Sequence, residues 1–198
     1  KFDNIEITSP LIEIKRKKNS FFINGQILND NRKFDIEELK PIFSNLSNDI
    51  NLQEIEFSSK NNFSFNVNKK LKFNDLKVQS IIELNKLTVS EKNLKLKSYL
   101  PDFVEKIGFE KHKININYEK NKFDIKGNGN FLLENKLDNL SYQIIKNKNI
   151  FIFDSKINLK NNSLLIDFLD YEKKEGSNSL VTIKGNFKKN SLLSLDLI

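Results

Sequence analysis

The sequence predicts an all-β protein built on an antiparallel sheet. Three observations lead there. Apolar residues recur at period two, as in Phe63, Phe65 and Val67 separated by Ser64 and Asn66, the spacing of a strand with one apolar and one wet face. Alanine, the best helix former, is absent, while Ile, Phe and Val, which favour strands, are abundant. About a dozen such segments follow one another at intervals of roughly 8–12 residues, which suits a meander. Parallel pairing would need long, usually helical crossovers, and the chain offers too few.

The segments follow in order. FFINGQIL (Phe21–Leu28) reads as a strand, and FSFNV (Phe63–Val67) as another. Leu94 with Leu96 continues the alternation, then Ile114, Ile116 and Tyr118, and Phe123 with Ile125. Further along come Ile157 with Leu159, the run Leu164, Ile166 and Phe168, and finally Leu193, Leu195 and Leu197. EKNK (119–122), KNKN (146–149) and KNNS (160–163) read as turns. Two short helices are predicted as interruptions. One lies near 35–48, where Asp35 and Glu38 have capping-box spacing and Ile36, Leu39, Phe43 and Leu46 form a stripe, with Pro41 as a break. The other lies near 101–107, with Pro101 at a first helical position and Gly108 as the stop. Both are sized as lids or plugs on a sheet.

The tetrapeptide IKGN occurs twice, ending in Gly127-Asn128 and Gly185-Asn186, with a looser relative at Gly25. A phosphate-binding loop needs its glycines to open a helix, and none follows here. The glycines are therefore read as joints where strands bend, placed on the polar face.

Nothing in the chain assembles a catalytic centre or calls for a cofactor. There is no Cys and a single His, so neither a thiolate site nor a His-based metal site is available. His112, flanked by lysines, is expected at the surface. Asp138 and Asp167 are expected at turns or edges, and no carboxylate pair stands out as an acid–base couple. Four Asn-x-Ser sequons, at Asn45, Asn62, Asn139 and Asn161, are expected by chance in a chain so rich in Asn and Ser. The net charge of +7 is carried almost wholly by Lys, with Arg only at 16 and 32. Lys, Asn, Ile, Leu and Phe are also the residues that an AT-rich genome favours. The basic clusters Lys15–Lys18, Lys69-Lys70, Lys173-Lys174 and Lys188-Lys189 fall where turns or strand ends are expected. The 17 Phe and 4 Tyr keep company with Ile, Leu and Val, which places them in a core and argues against a nucleic-acid stacking platform. No stretch reaches the 18 or so apolar residues of a membrane-spanning helix.

What remains is the apolar face, which must be covered. The sheet can fold as a sandwich, close as a barrel, or curl into an open trough holding another apolar molecule. Periodicity alone selects none of the three, and generic packing favours the sandwich.

Several stretches together resemble the AsmA-like family of bacterial envelope proteins, the TamB/YhdP-type proteins with a repeating β-groove. They are FSFNVNKKLKFNDLKVQSIIELNKLTV (63–89), YLPDF (99–103), KININYEKNKFDIKGNGNFLL (113–133), the run from Leu140 to Gly176, and LVTIKGNF (180–187). The likeness covers most of the chain and rests on the cadence of strand, turn and glycine. It implies one unit, 1–198, forming a long, strongly curved antiparallel sheet that opens as a β-groove, as part of a longer protein. A β-sandwich with a closed core, structural or adhesive, is the alternative. The resemblance further implies a non-enzymatic role in conducting phospholipid across the periplasm between the inner and outer membranes, toward the outer. The anchor in the inner membrane and the outer-membrane partners would lie outside this segment. The partners on the segment itself would be phospholipid acyl chains, with no nucleic acid. The implied lining is Phe63, Phe65, Val67, Leu84, Leu94, Leu96, Ile114, Ile116, Phe123, Ile125, Ile144, Phe151, Phe153, Ile157, Leu159, Leu164, Ile166, Val181 and Ile183.

Overall fold

The computed structural model describes residues 8–36, 51–90, 95–103, 106–120, 122–133, 135–188 and 191–197. They form twelve strands: β1 (Thr8–Arg16), β2 (Ser20–Phe34), β3 (Asn51–Asn68), β4 (Phe73–Ser90), β5 (Lys106–Glu119), β6 (Lys122–Leu133), β7 (Lys136–Asn147), β8 (Ile150–Leu159), β9 (Leu164–Ile166), β10 (Tyr171–Lys173), β11 (Ser179–Lys188) and β12 (Ser191–Leu197). Ten of them make a single sheet in the order β1-β2-β3-β4-β5-β6-β7-β8-β11-β12, antiparallel throughout and not closed into a barrel. The short strands β9 and β10 pair only with each other. No second sheet of comparable size exists among the described residues.

The turns fall where the sequence places them. The two-residue connections after β5 and β7 carry Lys120 and Lys148 at φ 47° and 55°, the left-handed geometry that a tight hairpin needs. The β3–β4 loop is held by Asn68, whose Oδ1 accepts the backbone N–H groups of Lys70 and Lys72 at 2.9 and 3.0 Å.

The helix expected near 101–107 does not form. Pro101 and Asp102 sit in a turn closed by the Phe103 N–H donating to the Leu100 carbonyl at 2.9 Å. From Lys106 onward the backbone joins β5, with Lys106 opposite Ser90 of β4 and Ile107 opposite Leu133 of β6. Ladder bonds on both sides outweigh one or two turns of isolated helix, which are marginal alone. Leu96 lies in a 3-10 turn, Lys95–Ser98, and not in a strand. Leu94, and all but the first residues of the helix expected near 35–48, lie outside the described residues.

One face stays apolar along strands as long as 18 residues because bulges correct the pattern. Between Asn29 and Arg32, β2 has one more residue than β3; between Glu56 and Phe57, β4 has the extra residue, Asn85. Between Glu110 and Lys113, β5 has an extra residue against β6, with Lys111 at φ 52°. Each insertion shifts the alternation by one. Leu84 and Leu87, or His112 and Phe109, therefore share a face. Asn85 sits opposite Lys111 and donates to Asn31 of the β2 bulge at 2.8 Å, so the irregularities line up across neighbouring strands.

The closed core lies at the end of the sheet where the longer connections run. Phe131, Leu133 and Leu159 pack there with Phe103 from the connection before β5 and with Leu164 and Ile166 of β9. Phe34, Ile55 and Leu84 form an adjoining cluster. The Leu165 N–H donates to the Tyr99 carbonyl at 2.8 Å, tying the two covering segments together.

Candidate functional site

Register decides which side chains share a face. One row of directly opposed residues runs Ile12, Gly25, Phe63, Val78, Tyr118, Phe123, Lys146, Phe151, Phe187. The next runs Ile27, Asn61, Ser80, Ile116, Ile125, Ile144, Phe153, Gly185. Of the expected lining, Phe63, Phe65, Val67, Leu84, Ile114, Ile116, Phe123, Ile125, Ile144, Phe151, Phe153, Ile157, Leu159, Val181 and Ile183 all fall on this one face. Leu164 and Ile166 do not belong to the large sheet. They lie on β9, and with Leu159 they interlock with Phe103 and Leu133, so at that end protein covers protein. Away from it the face is half-buried and aromatic. Phe151 stacks on Phe187 at 4.8 Å between ring centroids, and Phe63 on Phe65 at 5.9 Å.

The glycines prove to be on the apolar face, not the polar one, because each lies two residues from its isoleucine. Gly25 opposes Phe63, Gly127 opposes Tyr142, and Gly185 opposes Phe153. A Cβ on Gly25 would come within 2.7 Å of the Phe63 ring and 2.8 Å of the Leu11 carbonyl oxygen; one on Gly127 would overlap the Tyr142 ring. The recurring glycine is thus a seat for a cross-strand aromatic.

Two further side chains depart from expectation. His112 is 2 % exposed, not a surface residue. The bulge turns it onto the apolar face, where it covers Gly129, meets the Phe109 ring edge-on at 5.5 Å, and donates from Nε2 to the Asn130 carbonyl at 2.8 Å. Burial lowers its pKa against the opposing effect of that hydrogen bond. Asp138 is buried, and its carboxylate gathers the N–H groups of Lys160, Asn161 and Asn162 at 2.8–3.2 Å. Burial alone would raise its pKa, but these donors outweigh it and hold the carboxyl below the ordinary range. Beside it the Lys173 ammonium is buried and donates to the carbonyls of Lys160 and Asn162 at 3.0 and 2.6 Å. This network folds the 160–163 turn down over the closed end, mostly through bonds to backbone groups, with the Asn162 side-chain amide adding a bond to the Asp138 carboxylate at 2.9 Å.

Two cavities of about 650 Å³ each open at the opposite end. One is lined by Tyr118, Phe123, Lys146, Lys148, Asn149 and Phe151, four of them members of a single apolar-face row. Lys146 is the one charged residue of that row, and its Nζ lies 5.2 Å from the Phe151 ring centroid. The other cavity is lined by consecutive triplets such as Asn62-Phe63-Ser64 and Asn117-Tyr118-Glu119. The outer members of each triplet belong to the polar face, so this is a trough between two polar rows with backbone as its floor. Among the described residues no group of three or more His, Asp or Glu could hold a metal ion, and no helix is long and apolar enough to cross a membrane.

Among the described residues, the apolar face is covered by protein at the β9 end and half-buried toward the end where the cavities lie. Comparison of the chain with protein-family models, curated proteins and solved structures finds no match.

Proposed function

We propose that this chain is a non-enzymatic, lipid-binding segment of an AsmA-like β-groove protein. In this reading it is held in the periplasm by an inner-membrane anchor elsewhere in the protein and hands phospholipid acyl chains along its apolar face. One observation carries the proposal: among the described residues, β1–β8 and β11 gather most of their apolar side chains on a single face, and the covering segments lie at one end of it. Surface of that kind and extent is costly in water and marks a binding surface. Filling it with acyl chain would gain roughly 0.8 kcal/mol for each methylene removed from water. The aligned bulges and the glycine–aromatic pairs support a sheet that curves as a groove, since both devices bend strands.

Ile116 tests the idea. It is partly buried at the middle of the face, opposite Ser80 and Ile125. A photoreactive residue at 116 is expected to crosslink to phospholipid in cells, and native mass spectrometry of the purified chain to show bound phospholipid. Ile116→Asp and the milder Ile116→Ser are both expected to stay folded by circular dichroism and to lose that lipid. Lipid-free protein from cells, with no crosslink from 116, would overturn the proposal.

A further inference from the structure

Antiparallel order sends alternate hairpins to opposite ends of the sheet, and the connections that gather at one end are all basic. The β1–β2 turn carries Lys17; the β3–β4 turn carries Lys69, Lys70 and Lys72; the β5–β6 turn carries Lys120; and the β7–β8 turn carries Lys148. All six are exposed, and none is ion-paired with a carboxylate among the described residues. The closed end mixes both signs: Asp102 and Glu175 pair with Lys136 at 3.0 and 2.9 Å, and Asp138 and Lys173 hold the same 160–163 turn.

These tips are not level. Val78 of β4 faces Tyr118 of β5, yet β5 ends one residue past Tyr118, at Glu119, whereas β3 runs five residues past Phe63, at Asn68. At about 3.3 Å per residue, the β3–β4 hairpin projects about 13 Å further. At its tip, between the lysines, stand Leu71, 79 % exposed, and Phe73, 71 % exposed. Leu71 is held outward by a left-handed backbone, φ 56°. Phe73 continues the apolar face, opposing Val67 and tilting against Phe65 at 5.3 Å.

A solvated tip needs no leucine and phenylalanine. A nucleic-acid surface would be met by arginine forks and flat stacking, not by a protruding aliphatic side chain. Lysines surrounding exposed apolar side chains match an anionic bilayer instead, where ammonium groups meet lipid phosphates and the apolar residues enter the acyl boundary. We propose that the basic end of the sheet docks on an anionic bilayer, with Leu71 and Phe73 of the β3–β4 hairpin inserted. This goes beyond the lipid-holding role and stands without it: the hairpin could dock whether or not the face carries lipid.

The chain contains no tryptophan, so Leu71→Trp places a single reporter at the tip. With the whole chain and vesicles of phosphatidylcholine and phosphatidylglycerol, its emission is expected to shift to the blue and to be quenched by brominated acyl chains. Vesicles of phosphatidylcholine alone should leave it nearly unchanged. Lys69→Ser, Lys70→Ser and Lys72→Ser together are expected to weaken vesicle binding on the order of 100-fold, at about fivefold per charge. Phe73→Ser is expected to weaken binding without changing its salt dependence. All are exposed tip positions, so an unchanged thermal unfolding curve separates loss of docking from loss of fold. An unshifted emission with anionic vesicles, equal binding to neutral ones, or a preference for duplex DNA over anionic vesicles would each overturn the proposal. The Ile116 crosslink reports on the middle of the face, so docking and lipid holding can fail independently.

Discussion

Asp138→Asn is the most informative perturbation of the closed end. In the native protein one carboxylate oxygen accepts the N–H groups of Lys160 and Asn161 at 2.8 and 3.0 Å. The other accepts from the Asn162 N–H and the Asn162 side-chain amide at 3.0 and 2.9 Å. Asparagine keeps one accepting oxygen and presents an amide, itself a donor, to the second pair. Two hydrogen bonds to a charged acceptor are lost, at about 1.5–3 kcal/mol each, and buried donors are left without a partner. The expected destabilisation is about 3–5 kcal/mol, a large share of the roughly 5–15 kcal/mol that holds a domain together. Urea unfolding at pH 7 followed by circular dichroism should show it as a midpoint lowered by about 1–2 M, for a slope of about 2–3 kcal/mol per molar. The pH dependence gives a second check. Because the folded pKa is depressed, this stabilisation is present above the ordinary carboxylate pKa and is lost as pH falls through the folded value. The gap between the native protein and Asp138→Asn should therefore narrow in strong acid. A loss below 1 kcal/mol at pH 7, or a gap that does not change with pH, would refute the account of Asp138 as the anchor of the 160–163 turn.

Glycine replacements should divide by what faces them. Gly129→Ala puts its Cβ 2.6 Å from the His112 Cα, a backbone atom that cannot swing away, and is expected to cost about 1–3 kcal/mol in urea unfolding. Gly108→Ala meets the Leu132 side chain at 3.4 Å and its carbonyl oxygen at 4.0 Å, ordinary contact distances, and is expected to be neutral or stabilising by up to about 1 kcal/mol. Equal effects at the two sites would remove the seat as an explanation. His112 makes stability depend on pH in the opposite range. Its folded pKa lies below the unfolded value near 6.5, so the unfolded chain binds the proton first as pH falls. Stability should decline below about pH 6.5, by at most about 1.4 kcal/mol per pH unit, and level off below the folded pKa. The urea midpoint of His112→Leu should lack that slope between pH 7.5 and 5, and an unchanged slope would count against burial of the imidazole.

The one-sidedness of the sheet was legible because period two is a local property. Phe63, Phe65 and Val67, or Ile114 and Ile116, share a face wherever the strand goes, and Asn and Lys at 120–121 and 148–149 favour tight turns through their own backbone preferences. The sequence by itself thus determined the class, the turns and most of the membership of the apolar face, but not the side of the recurring glycines, nor that Leu164 and Ile166 leave the large sheet. It misled where neighbours in space overrule neighbours in the chain. Residues 106 and 107 became strand because β4 and β6 offered ladder partners on both sides. His112 went inward because a bulge at Lys111 shifted the alternation. Which aromatic sits over each glycine, which end of the face is closed by Phe103 and β9, and the gathering of dispersed Lys turns on one rim around Leu71 and Phe73 were decided only by tertiary structure. Register and the stepped lengths of hairpins arise from pairing between residues far apart in the chain, and no window of the sequence contains both partners.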